Sequence, residues 1–341
     1  MEQFTEKVRD SITRACEKVE QLRTETSLVF PIFTDLHTYD VSHEYVKKLT
    51  CCLTEITGQI SCDAVVDLGD NLGMLGREIH ITNADLKKRL QDIFGAVQGA
   101  INCPTIHVNG NHDAIGTDFF KPDFWNGIVK GNYGNTSAVY GEEGSYYYMD
   151  YEKANTRLVV LSLPYESDIE SEMPTPLWGF GEKQIAWLKD CALDTRKNVI
   201  ILSHVPFYYE YMGDTESTLG VWDGEHAKVS YISALCGWIE DRDEAMDAIN
   251  AFCNRPDANL AVCLSGHMHD DSLWMPGEEK NGRTNPLPCK QIVTAATCLS
   301  VQGMERTYGI SIDIAVWNPD ENTIHMIRVG DGEDRSVAVN D

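Results

Sequence analysis

Five short runs of the chain join residue types that hold metal ions: Asp35-Leu36-His37, Gly69-Asp70-Asn71, Gly110-Asn111-His112-Asp113, Ser203-His204-Val205-Pro206 and Gly266-His267-Met268-His269. Carboxylates, neutral imidazoles and a side-chain amide make the mixed oxygen and nitrogen set that suits divalent first-row cations. Two such ions about 3.5–4 Å apart need a shared anionic bridge, donors around the rim and open positions for water and substrate. A water held between them has its pKa brought down toward about 7, so hydroxide is available at neutral pH without a protein base to generate it. Taken singly the runs differ in weight: Asp-x-His is expected about once by chance at this composition, Gly-His-x-His in about one such chain in fifty, and Gly-Asn-His-acid in about one in a hundred and fifty. Their joint occurrence, in this order, is what carries information.

Each run follows an apolar stretch of strand character. Leu28-Val29-Phe30-Pro31-Ile32-Phe33 precedes Asp35, Ala64-Val65-Val66 precedes Gly69, and Thr105-Ile106-His107-Val108 precedes Gly110. Val199-Ile200-Ile201-Leu202 precedes Ser203, and Leu260-Ala261-Val262-Cys263-Leu264 precedes Gly266. Ligands gather at such strand ends in layered α/β folds. Helical spacing through Leu86, Leu90 and Ile93, and again around Ile185, Trp187 and Leu188, alternates with the strands, which is the rhythm of an α/β fold. Tyr146-Tyr147-Tyr148-Met149 and Leu158-Val159-Val160-Leu161 add strands to a second set, so two sheets are expected. Pro31, lacking an amide, predicts an edge position or a bulge for the first strand. Ile310, Ile312, Ile314 and Val316 alternate with smaller or polar residues before Asn318-Pro319-Asp320 turns the chain into Thr323-Ile324-His325-Met326-Ile327, a hairpin.

The motifs resemble those of the calcineurin-like metallophosphoesterases: Asp-x-His, Gly-Asp, Gly-Asn-His-acid, a later His, and Gly-His-x-His, matched from Asp35 to His269. The resemblance implies two facing mixed β-sheets flanked by helices, with two divalent metal ions (Mn, Fe or Zn) at the strand ends. It implies that Asp35, His37 and His269 hold one ion, that Asn111, His204 and His267 hold the other, and that Asp70 bridges them. By the same likeness a metal-bound hydroxide attacks a phosphate mono- or diester, His112 protonates the leaving oxygen or stabilises developing charge, and Asp113 orients the His112 ring. One departure stands at Gly73, where the family often has Asp or Asn three residues after the bridging aspartate. Purple acid phosphatases carry a tyrosine ligand there, which Gly73 cannot supply.

The formal charge of −25, from 53 acidic and 28 basic residues, repels phosphate backbones and acidic membrane surfaces, so a small phosphate ester is expected as partner and nucleic acid is disfavoured. Two alternatives remain open within the family: a nuclease, and a non-catalytic interaction scaffold like the retromer subunit of this fold. Scaffolds of that kind tend to lack the histidine that His112 supplies. The chain opens on the charged helical pattern of Phe4, Val8, Ile12, Val19 and Leu22, not on a secretory leader, and no apolar run approaches the roughly 20 residues of a membrane span. Eleven scattered cysteines fit a reducing cytosol, giving a cytoplasmic expectation. The expected organisation is a leading helix over 1–26 packed on the core, a metallophosphoesterase domain over 27–330, and a surface tail over 331–341. Phe207, Tyr208, Tyr209, Tyr211 and Trp222 suggest an aromatic lid over 206–222, with packing on the body as the alternative, and Arg306 reads as a surface ion pair before a phosphate ligand. His43, His80, His107, His226 and His325 are read as structural or exposed.

Overall fold

A computed structural model describes residues 6–73, 83–113, 137–142, 144–162, 179–207, 242–280, 283–298 and 307–339. The 206–222 aromatic stretch beyond Phe207, together with Arg306, His80 and His226, lies outside the described residues.

Helix α1 (Glu6–Leu22) buries Val8, Ile12, Ala15 and Val19, a stripe spaced by four, three and four residues. Strand β1 (Leu28–Phe33) runs into the first motif, and α2 (Glu44–Gln59) follows it. Next come β2 (Val65–Asp67), α3 (Asn83–Gly99) and β3 (Thr105–His107). The second series comprises β4 (Val139–Tyr140), β5 (Tyr147–Tyr151), β6 (Thr156–Val160), α4 (Glu182–Trp187), β7 (Asn198–Leu202), α5 (Arg242–Cys253) and β8 (Asn259–Ser265). Then follow β9 (Ser272–Trp274), the small hairpin β10 (Glu279–Lys280) and β11 (Arg283–Thr284), β12 (Gln291–Val293), β13 (Ser311–Asn318), β14 (Thr323–Gly330) and β15 (Arg335–Ala338).

Two mixed sheets result. One has six strands in the order β15-β14-β13-β1-β2-β3, the other seven in the order β4-β5-β6-β7-β8-β12-β9. Strands β1, β2 and β3 are parallel to one another, as are β6, β7, β8 and β12. In the second sheet side chains alternate between two cores. Leu158, Val160, Ile200 and Leu202 join the core shared with the first sheet. Val159, Val199 and Ile201 face the opposite way, toward Leu188, Ala245 and Ile249 of the outer helical layer. A sheet covered on both faces must read as a continuous apolar run, as these strands do. Trp317 of β13 donates its indole N–H to the Thr156 hydroxyl of β6 at 2.9 Å, tying the two sheets together through the shared core.

Two expectations are corrected. β1 is an interior strand, paired with β13 on one side and β2 on the other, so Pro31 sits neither at an edge nor in a bulge. Val29, which shares Pro31's orientation, donates its amide to Asp63 on the β2 side, and pairing with β2 begins only at Ile32–Val66; the missing amide therefore costs no ladder bond. The segment read as a surface tail contributes β15, which extends the sheet by pairing with β14 from Thr323↔Ala338 to Met326↔Arg335. Its glycine-rich approach, Gly330-Asp331-Gly332, is a turn between strands, with positive φ at both glycines. Among the described residues no helix is long and apolar enough to cross a membrane.

Candidate metal centre

The carboxyl ends of β1, β2 and β3 in one sheet and of β7 and β8 in the other deliver all five motifs to one place. Direct contacts join the loops: His267 donates its amide to Asp35 Oδ2 at 2.9 Å, and His204 Nδ1 meets the Leu68 carbonyl at 2.7 Å. A carbonyl only accepts, so His204 carries a proton on Nδ1 and turns its Nε2 inward.

Both buried carboxylates are divided in the same way. Asp35 Oδ2 accepts from the Thr34 hydroxyl at 2.7 Å and from the His267 amide, leaving Oδ1 3.1 Å from His269 Nε2 and 3.6 Å from His37 Nε2. Asp70 Oδ1 accepts from the His112 amide at 2.7 Å. Its Oδ2 faces His204 Nε2 at 3.1 Å, His37 Nε2 at 3.8 Å and His112 Nε2 at 3.9 Å. Asn111 Oδ1 lies 3.1 Å from His204 Nε2, and the Nε2 atoms of His37 and His269 approach to 3.0 Å. Lone pairs crowded this closely need positive charge between them, which fits divalent cations with oxygen and nitrogen ligands.

Three groups bring their ligand atoms within 4.8 Å of one another: Asp35, His37 and His269; His37, Asp70 and His112; and Asp70, His204 and His267. The first holds the three residues expected at one ion, and the third joins Asp70 to two of the three expected at the other. The second also brings His112 within ligand reach. Thus Asp35, His37, Asp70, Asn111, His112, His204, His267 and His269 all converge.

The local backbone explains why these residues occur at turns. Among the described non-glycine residues, Asp35, His37, Asp70, His267 and His269 have φ between 45° and 69°, joined only by Asn155 and Asn322. Left-handed backbone at a non-glycine residue is held only where its surroundings over-determine it. The motif glycines make room for the carboxylates: a Cβ on Gly110 would stand 2.2 Å from Asp70 Oδ1, and one on Gly266 2.8 Å from Asp35 Oδ2.

Electrostatics follow from this crowding. Burial would raise the Asp35 and Asp70 carboxyls, but the imidazoles around them hold both well below the usual range. Burial opposes protonation of His204, yet Asp70 and Asp35 lift it to about 9. Burial, with His204 beside it, presses His267 down to about 3, so it is neutral at neutral pH. His112 is lowered, chiefly by burial.

Asp113 corrects an expectation. Its carboxylate is turned away from imidazole duty and accepts backbone amides from Asp70 at 2.9 Å, Asn71 at 2.8 Å, Leu72 at 3.0 Å and Gly110 at 3.3 Å. It caps the loop that carries Asp70, which a carboxylate at the start of a helix-like turn can do when another loop offers free amides. Burial and the neighbouring Asp70 and Asp67 push its carboxyl up, against the pull of those donors.

Asp67 was missed as a supporting residue, and His107, read as structural or exposed, is its buried structural partner. Asp67 accepts from Gly69 N, Asn71 Nδ2 and His107 Nδ1 at 2.8–2.9 Å, and the His107 ring stacks on Phe94 at 3.8 Å. An acid inside the apolar run Val65-Val66-Asp67-Leu68 was the available signal. His43 accepts from Tyr45 N at the start of α2, and His325 meets the Ser336 hydroxyl, both outside the cluster.

A family model described as calcineurin-like phosphoesterase matches residues 29–271. The chain belongs to the calcineurin-like phosphoesterase family. No curated protein sequence matches it. Among solved structures, it is similar to a purple acid phosphatase from yellow lupin (Lupinus luteus) seeds, with 13% identity, 92% of this chain and 54% of that one covered, and a TM-score of 0.48. It is also similar to PhoD (14% identity, 92% and 68% covered, TM-score 0.47) and to the NAD nucleotidase of Haemophilus influenzae (12%, 92% and 49%, TM-score 0.37). The chain spans about half the length of the lupin enzyme. Within this calcineurin-like member, the match ends at Asp271, just past the last histidine of the cluster, and β12 to β15 lie beyond it.

Proposed function

We propose that this chain hydrolyses a small phosphate ester at a centre holding two divalent ions. The observation that carries this reading is the single inward oxygen of Asp70, flanked by His204 on one side and His37 on the other at 3.1 and 3.8 Å. On this reading Asp35, His37 and His269 hold one ion, Asn111, His204 and His267 the other, and Asp70 Oδ2 serves both. Bound there, Mn, Fe or Zn would supply an activated water and charge to balance the phosphoryl oxygens.

The protein's own part is orientation and proton transfer. Thr34, the His267 amide and the His112 amide each occupy one carboxylate oxygen, so the other oxygen of Asp35 and Asp70 cannot rotate away. His112 keeps a partly exposed side chain, 19% against 0% for His204, and packs edge-on to His37 with ring centroids 4.6 Å apart. That position suits a general acid for the leaving oxygen. An arriving phosphate anion raises the proton affinity of a histidine held low by burial. Asp113 acts on this reading through the Asp70 loop and not through the His112 ring.

The −25 charge favours a small ester over a nucleic acid, and His112 favours an enzyme over a scaffold. We also take the chain from residue 27 through β15 as one catalytic domain with α1 packed against it. The test is a panel of phosphate mono- and diesters assayed after reconstitution with Mn, Fe or Zn. Turnover of a small ester that vanishes with chelator is expected; two bound ions with no hydrolysis of any ester would overturn the reading.

A further inference from the structure

Asp271 follows His269 by two residues and is held from the other side of the molecule. Its Oδ1 accepts from Ala295 N at 3.1 Å and Arg328 Nη2 at 2.5 Å, and lies 3.1 Å from Arg335 Nη1. Both guanidiniums also grip the buried Asp313 Oδ2, at 3.1 Å from Arg328 and 2.5 Å from Arg335, and Thr294 donates its hydroxyl to the same oxygen. Arg328 is itself fixed: its side chain is 1% exposed, and its amide donates to Asp334, which pairs with Arg14 and Lys18 of α1. Paired guanidinium–carboxylate contacts of this kind define geometry as well as charge.

The turn between the two histidines needs such an anchor. His267 and His269 both hold left-handed backbone, with φ of 69° and 57°. The first half of the turn is tied into the centre by Gly266 N to His204 O at 3.0 Å and His267 N to Asp35 Oδ2 at 2.9 Å. His269, in the second half, is the more exposed histidine, and Asp271 is clamped immediately after it.

We propose that Asp271 is a positioning residue: clamped by Arg328 and Arg335, it holds the Gly266–His269 turn so that His269 Nε2 stays against Asp35 and His37. The strands that carry the clamp, β14 and β15, lie beyond the family match and belong to the six-stranded sheet, so a loop at the end of β8 in one sheet is held from the other. The inference rests on the reading of His269 as a metal ligand. It predicts that damage to the clamp weakens one ion and spares the other.

The experiment titrates the full-length, metal-free protein with Mn²⁺ alone by calorimetry, with circular dichroism as the check on folding. Asp271→Asn is expected to weaken one equivalent about 10- to 100-fold, the range for removing a partner behind a ligand, and to leave the second unchanged. Arg335→Gln, which keeps Arg328 in place and is the milder variant should Asp271→Asn not fold, weakens the same equivalent, and Arg335→Lys recovers part of the loss. In a His269→Ala background Asp271→Asn produces no further loss, because it acts only through that ring. Unchanged binding in folded Asp271→Asn and Arg335→Gln, or equal loss with and without His269, overturns the proposal while leaving the two-ion reading intact. If His269→Ala itself binds both equivalents normally, the ligand reading falls and this inference falls with it.

Discussion

The two halves of the metal centre are built differently. Asp70, His204 and His267 are all buried, and His204 is locked through the Leu68 carbonyl. Asp35 is buried too, but its partners His37 and His269 leave 11% and 23% of their side chains exposed. One half is thus a mostly buried cage, with Asn111 at intermediate exposure, and the other a partly exposed rim. On the two-ion reading, the difference teaches that an ion in the cage would be retained by a rigid, low-dielectric shell, whereas the rim is where solvent, ions and substrate would exchange.

The largest effect should come from removing what the halves share. Asp70→Ala is expected to lose both ions and all measurable turnover, read by metal analysis and ester hydrolysis; retention of one tightly held ion would mean that the halves are independent. His112→Ala sits on the rim side and should keep both ions while turnover falls about 10²- to 10⁴-fold, the usual worth of a general acid. Full turnover in that variant removes His112 from the chemistry. Chelator should strip the loaded protein in two phases, the rim ion before the caged one, and a single phase would erase the distinction drawn above. Asp113→Ala, which leaves amides of the Asp70 loop without an acceptor, should cost about 3 kcal/mol in urea unfolding and weaken both ions together.

The smallest effect concerns the support behind the rim. Burial alone would raise Asp334, but Arg14, Lys18 and the Arg328 amide hold it at about 2, below its free value of 3.8. A carboxyl depressed on folding stabilises above its unfolded pKa, and that contribution is lost as pH falls through the folded value. Asp334→Asn should therefore flatten the loss of stability between about pH 4 and pH 2. An unchanged acid limb would show that α1 is not held through this carboxylate.

Much of this molecule was legible in advance. The strand runs before each motif, the β13–β14 hairpin and α1 follow from periodicity and turn residues alone, because local sterics and one-sided burial act over a few residues. The converging ligands were readable because each motif needs its residue types at fixed spacing next to a strand end. Helices α2 and α5 went unread. Their buried positions, such as Val46, Leu49, Leu53 and Ile56, gain their meaning only from the neighbours they cover.

Residue types and spacing by themselves pointed to a metal site in five runs, since ligand chemistry belongs to the side chain, and the resemblance to the family's motifs picked out Asp35, His37, Asp70, Asn111, His204, His267 and His269 as its candidate ligands. Only the tertiary structure decided that Pro31 lies in an interior strand, that Asp113 caps a neighbouring loop, and that Asp67, Asp271 and Arg328 stand behind the ligands. Those roles depend on which backbone donors and opposite charges arrive from strands and loops tens to hundreds of residues away, and pairings of that range leave no local mark on the chain.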